Sequence, residues 1–153
     1  MNLLAGTNKV DLVVIVAANL INLIMVGIFL SRPFGQSRLE YVLGWINIGL
    51  ALPLFFAVVK NFMDRREWWT FVLPSIMIIF LVVELVLDYI LQLNFRSTWM
   101  LWPYLILFYF AQWMLIGYAF LVDNTYGFIT LFTYFLSLGA TAYSYSKVGH
   151  GRD

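Results

Sequence analysis

An all-α integral membrane protein, a compact bundle of five transmembrane helices, is the fold class this sequence predicts, and three features predict it. Of 153 residues, 63% are hydrophobic and only 11% charged, where a soluble domain carries roughly 25% charge. The charges gather in short breaks between uncharged runs, each near the roughly 20 residues a helix needs to cross a hydrocarbon core of about 30 Å. No stretch alternates apolar and polar residues as a membrane β-strand does, and backbone groups in lipid must be bonded within their own segment, so helices remain. Residues 1–153 are expected to form one membrane domain, with N- and C-termini on opposite sides.

The first helix is expected over about 12–30, because Leu12 to Leu30 carries no charge and Ser31-Arg32-Pro33-Phe34-Gly35 stops it. It is longer than a signal-peptide core and lacks a small-x-small cleavage pattern, so it reads as a retained helix. The second, about 39–59, ends at Lys60. Pro53 inside it removes a donor and clashes with the carbonyl of Gly49, so a kink is expected there.

The third helix, about 68–91, follows Asp64-Arg65-Arg66-Glu67, which reads as a solvated turn, and Trp68 and Trp69 suit the headgroup level. The fourth, about 99–122, begins at Trp99; Pro74 and Pro103 lie near helix starts, where proline is tolerated. The fifth, about 127–145, follows the turn Asp123-Asn124-Thr125-Tyr126-Gly127, short enough to force helices four and five into an antiparallel hairpin. The tail from Lys147 to Asp153 is expected to be mobile.

Several function classes drop out on composition. A net charge of +1 without a basic cluster gives nucleic acid nothing to bind. The absence of cysteine removes disulfides, Fe–S clusters and thiolate sites. The one histidine, His150, lies in the polar tail, which removes bis-histidine haem, His-rich metal sites and Ser-His-Asp chemistry. No P-loop, dinucleotide fingerprint, G-x-S-x-G or HExxH occurs, and neither a cofactor nor a metal is expected.

Glu84 and Asp88 are the first candidates for chemistry, since an ionisable residue within a span costs about 2.5–3.5 kcal/mol and is functional by default. Four apart, they share a helical face with Met77, Phe80 and Leu81. With the bilayer centre near Phe80, a rise of about 1.5 Å per residue puts Glu84 roughly 6 Å from it and Asp88 roughly 12 Å. Glu84 is expected to be buried and either protonated or hydrogen-bonded, with Asp88 at the mouth. The structural alternative is that Glu84 bonds another helix and Asp88 pairs with Arg96 or Arg38.

Other helices offer polar groups to face this pair. Glu40, Gly44, Asn47 and Ala51 form one stripe; Thr130, Thr133, Ser137, Thr141 and Ser144 form another; Asn19 and Asn22 stand three apart on helix one, and Gln112 stands beside Tyr109 on helix four. Alternating spans bring Glu40, Asp88 and Ser144 to the same membrane side. The expected ligand-binding set is therefore Glu84, Asp88, Asn47, Glu40, Asn22, Gln112, Ser137 and Thr141, around a polar cavity opening on that side. The same residues at the same spacing are also the ordinary material of helix contacts in lipid. The 6 Trp, 9 Tyr and 14 Phe exceed two interface belts, so some rings are expected to line the interior.

The expected function is binding or translocation of a small hydrophobic or amphipathic molecule, lipid- or isoprenoid-like. Two other readings compete with it: an accessory subunit of a larger membrane complex, and a cofactor-independent enzyme using Glu84 and Asp88 as acid and base on a lipid. The partners expected are the lipid bilayer, a hydrophobic small molecule, and further copies or a larger complex. The expected location is the plasma membrane of a prokaryote. Lys9, Lys60, Arg65 and Arg66 fall on the N-terminal side against Arg32, Arg38, Arg96, Lys147 and Arg152 on the other, which tips the C-terminus towards the cytoplasm. In length, span number and tryptophan content the chain is similar to the TspO translocator proteins. It lacks their W-x-P-P segment, so the likeness is one of size and helix count and implies no site residue.

Overall fold

A computed structural model describes residues 7–149 and shows an all-helical chain, with no strand among them. The predicted positions His150 and Arg152 lie outside the described residues. Helix α1 spans Lys9–Ser31, α2 Ser37–Gly49, α3 Ala51–Met63, α4 Trp69–Glu84, α5 Leu101–Val122 and α6 Asn124–Val148. A π-helical turn, Leu85–Ile90, continues α4, and a single 3-10 turn, Phe95–Ser97, leads into α5. Among the described residues, four stretches are long and apolar enough to cross a membrane: Lys9–Ser31, Ser37–Met63, Trp69–Ile90 and Leu101–Val122.

Local chemistry sets the ends and the breaks. Asn8 caps α1, its side chain accepting from the Val10 N–H at 2.9 Å. The helix expected over 39–59 is divided at Leu50, whose N–H bonds the Asn47 carbonyl at 3.1 Å, three residues back. Pro53 is the cause, because it has no N–H to return to Gly49 and its ring pushes that carbonyl away. Beyond Glu84 the turn widens, the Leu91 N–H reaching the Val86 carbonyl five residues back at 2.8 Å.

The turn expected at Asp123–Gly127 contracts to one residue. Asp123 is extended and accepts from the Thr125 N–H at 2.7 Å, so the helix starts at Asn124. At its far end α6 continues through Lys147 to Val148, where a mobile tail was expected. Gly149, with φ of 68°, closes it by returning its N–H to the Tyr145 carbonyl at 3.0 Å.

Helix α1 is the central element, packing on α6, α2, α3 and α5, while α4 lies against α3 and α5. The core is built from Val14, Ile21 and Met25 of α1, Leu54 of α3, Met77, Phe80 and Leu81 of α4, and Ala111, Leu115 and Tyr118 of α5. Large apolar side chains such as Leu52, Phe56, Trp102 and Ile106 point outward. A polar seam joins α1 to α6: Asn22 Nδ2 donates to Thr133 Oγ1 at 2.9 Å and Asn19 Nδ2 to Thr130 Oγ1 at 3.1 Å. Such bonds contribute about 0.6–2 kcal/mol each inside a membrane bundle.

The α5–α6 hairpin is tight enough to need a glycine. A Cβ on Gly127 runs into the ring of Phe120, which also packs on Phe128 with centroids 5.2 Å apart. With only Asp123 linking the helices there is little slack to relieve the overlap. Gly127→Val is expected to lower stability by about 2 kcal/mol through overpacking, measured by thermal melting in detergent. Phe120→Ala in the same chain is expected to recover part of that loss, and a Gly127→Val protein that melts like wild type rules the explanation out.

Candidate functional site

The residues that matter converge at the end of the bundle where α1, α4 and α6 finish and α2 and α5 begin. Glu84 is 7% exposed, on the α4 face that also buries Met77, Phe80 and Leu81. Across from it, the buried Asn47 of α2 donates from Nδ2 to Glu84 Oε2 at 3.4 Å. Asn47 is held there by the stretch just before the Pro53-induced break, which fixes how α2 meets α4.

Around Glu84 the charges are paired off. Arg96, from the 3-10 turn, straddles Asp88 with Nη1–Oδ1 at 2.8 Å and Nη2–Oδ2 at 2.6 Å, the fork-to-fork geometry that carboxylates and guanidinium favour. Burial works against the charge on Arg96, yet the Asp88 hydrogen bonds and charge outweigh it and hold the guanidinium above the usual arginine range. Arg32, at the end of α1, donates from Nε to Glu40 Oε1 at 2.9 Å. Two arginines thus meet three carboxylates, and among the described residues Glu84 makes no salt bridge.

Glu84 lies between two cavities. The larger, of about 100 Å³, is lined by Met25, Phe29 and Arg32 of α1, by Leu105, Phe108 and Tyr109 of α5, and by Thr141 and Ser144 of α6, with Glu84, Arg96 and Tyr104 also in its wall. Two rings of its wall, Tyr104 and Phe108, pack at tilted angles on Phe80, which does not line the cavity, at 5.4 Å and 5.1 Å, and Tyr104 also packs on Phe95 at 4.9 Å. The smaller, of about 50 Å³, is polar: Arg32, Glu40, Gly44, Asp88, Tyr89 and Arg96 surround the other side of Glu84. Two buried atoms nearby, Asn47 Oδ1 and Ser144 Oγ, have no hydrogen-bond partner.

Of the eight expected site residues, the structure gathers Glu84, Asp88, Glu40, Asn47 and Thr141 at this end of the bundle. Three fall elsewhere. Asn22 is committed to α6 through Thr133 and the Thr130 carbonyl, and neither cavity is lined by Gln112 or Ser137. The Ser137 carbonyl instead accepts from the Thr141 hydroxyl at 2.8 Å. Their helical stripes face inward, but an inward face meets several neighbours along its length, and only the last two turns of α6 reach the cavity beside Glu84.

A second polar cluster closes the opposite end, and it draws Arg66 out of the expected solvated turn, whose Asp64, Arg65 and Glu67 are exposed. Arg66 folds back onto Asp11, with Nη1–Oδ1 at 2.6 Å and Nη2–Oδ2 at 3.0 Å. Tyr118 donates to Asp11 Oδ1 at 2.6 Å, Arg66 donates to Asn61 Oδ1 at 2.9 Å, and Asn61 Nδ2 donates to the Thr70 carbonyl at 3.0 Å. The Asp11 hydrogen bond holds the Arg66 guanidinium above the ordinary arginine value, against a burial that works the other way. The one signal for it in the sequence was an acid in the first turn of a membrane-length helix; its partner lies 55 residues away.

Compared with known proteins, the chain matches no family model, no curated protein and no solved structure. The functional reading therefore rests on the geometry of this end of the bundle.

Proposed function

We propose that this chain spans the membrane five times and binds a small amphipathic molecule in the cavity beside Glu84, at the level where hydrocarbon gives way to headgroups. In this reading α6 is the fifth span. Its buried side carries Thr130, Thr133, Ser137 and Ser144, while Phe128, Phe132 and Phe135 face outward as a lipid-exposed surface requires. Five spans put the termini on opposite sides, and the balance of basic residues favours a cytoplasmic C-terminus.

The observation that carries the binding proposal is the unpaired carboxyl of Glu84. An intramembrane acid that serves only packing is expected to end in a salt bridge or a full set of hydrogen bonds. Glu40 and Asp88 do so here; Glu84 has one long bond from Asn47 and opens on two cavities. Drug-sized ligand pockets occupy about 300–1,000 Å³, so a cavity of about 100 Å³ suits the polar head and first carbons of an amphiphile. The remainder of a longer tail would lie between the helices or in lipid. An acid and base role for Glu84 and Asp88 draws no support from this geometry, because both Asp88 oxygens are occupied by Arg96.

The test is native mass spectrometry of protein extracted in a mild neutral detergent. The wild-type chain is expected to retain a small amphiphile, and Glu84→Gln to lower its occupancy by about ten-fold, the equivalent of roughly 1.4 kcal/mol. A wild-type protein that is empty under these conditions, or a Glu84→Gln protein equally loaded, overturns the proposal.

A further inference from the structure

We infer that the group taken up beside Glu84 is a protonated amine, so that the ligand class is a cationic amphiphile with N–H donors; this rests on the binding proposal and narrows it. The first argument is a charge count over the side chains lining the two cavities. Arg32 and Arg96 supply two positive charges, and Glu40, Asp88 and Glu84 three negative ones once Glu84 is a carboxylate. With Arg32 on Glu40 and Arg96 on Asp88, the charge left over is that of Glu84, and a cation completes the set.

The second argument is independent of charge. Ser144 is 2% exposed, lines the larger cavity and has a hydroxyl with no hydrogen-bond partner. A buried hydroxyl left unpaired bears its desolvation cost without return, and a ligand N–H is one way to recover that. Beside it Thr141 spends its proton on the Ser137 carbonyl, which leaves its oxygen as an acceptor towards the cavity it lines. Glu84 and Thr141 thus present acceptors, Ser144 can accept as well as donate, and an ammonium brings three donors.

The third argument is the wall. Phe29, Tyr104, Phe108, Tyr109 and Tyr145 line the same cavity, and ring faces attract a desolvated cation. An anionic head fares worse: Arg96 has both Nη atoms on Asp88, Arg32 is bound to Glu40 and stacked on Phe29 at 4.8 Å, and the incoming anion meets the Glu84 carboxylate directly. Electrostatic complementarity therefore selects the sign of the head, and the apolar residues Met25, Ile28, Leu105 and Phe108 accept the start of the tail.

The experiment compares three probes of one chain length, tetradecylamine, tetradecanol and tetradecyl sulfate, on the full-length protein in neutral detergent at neutral pH. Occupancy is read by native mass spectrometry. The amine is expected to occupy the protein about ten-fold better than the other two. That preference is expected to collapse in Glu84→Gln and to shrink several-fold in Ser144→Ala, with melting temperatures near wild type confirming that both variants fold. Equal occupancy by amine and alcohol, or preference for the sulfate, overturns the inference; if a bulky Ser144→Trp then removes all three, the cavity itself survives as the site. Failure of all three probes to bind wild type removes the binding proposal along with the inference.

Discussion

Replacing Asp11 with alanine is expected to lower the stability of the purified protein by about 3 kcal/mol, because three hydrogen bonds to one sealed carboxylate are lost together, two of them from a guanidinium that is itself 24% exposed. The carboxylate is 4% exposed and accepts three hydrogen bonds, two from Arg66 and one from Tyr118. Its removal leaves the Arg66 guanidinium with its bond to Asn61 and takes the acceptor from the buried Tyr118 hydroxyl. These three residues come from the start of α1, the α3–α4 connection and the end of α5, so the loss loosens the closure of one whole end of the bundle. Two controls separate charge from packing. Asp11→Asn keeps the shape and is expected to cost less than alanine. The double change Asp11→Ala with Arg66→Leu is expected to recover much of the loss, because an apolar replacement of a whole buried pair is often neutral. Thermal melting or denaturant titration in detergent measures all three, and an Asp11→Ala protein that melts with wild type would show the cluster to be ornamental.

What the sequence made legible follows from what lipid imposes. A span must be nearly free of charge over its length, so α1, the α2–α3 pair, α4 and α5 stand out as apolar runs between charged breaks. The break in the second span is legible because Pro53 acts on its own helix. Glu84 is legible for the same kind of reason: a carboxylate inside an apolar run is rare, and its burial is set by the run that carries it. The pairing of Asp88 with Arg96 was one of two options, since Arg96 is close in sequence.

The illegible parts depend on which helices meet. Asp11 and Arg66 each look like a solvated flank, and only the packing of α1 beside the α3–α4 connection pairs a buried Asp11 with a half-buried Arg66. Asn22, Gln112 and Ser137 were placed on inward faces without any means of knowing which neighbour lay opposite. The wide turn from Leu85 to Ile90 was also invisible, and it alters the direction of Asp88 relative to Glu84, since the 3.6-residue repeat does not continue past Glu84. Propensity and periodicity describe one helix at a time, so contacts across helices are where such a reading stops.

The second large effect is expected at Arg96, and it tests whether the charge count around Glu84 is physically meaningful. Arg96→Ala leaves Asp88 without either of its hydrogen bonds and places two uncompensated carboxyl groups on the same segment, with Arg32 already engaged by Glu40. The pair is not fully sealed, the side chains being 22% and 17% exposed, so the loss is expected near 2 kcal/mol rather than the larger values for a completely buried pair. Glu84→Gln alone is expected to change stability by less than about 0.5 kcal/mol, since it keeps the side-chain volume and puts no unpaired charge in place. If Asp88 and Glu84 repel once Arg96 is gone, then Arg96→Ala must cost less in the Glu84→Gln background than in wild type, by about 0.5–1 kcal/mol of coupling. Thermal or denaturant unfolding of the four proteins closes that cycle. Strict additivity would mean that Glu84 does not sense its neighbours' charges, and the selection of a cation at this end of the bundle would lose its electrostatic basis.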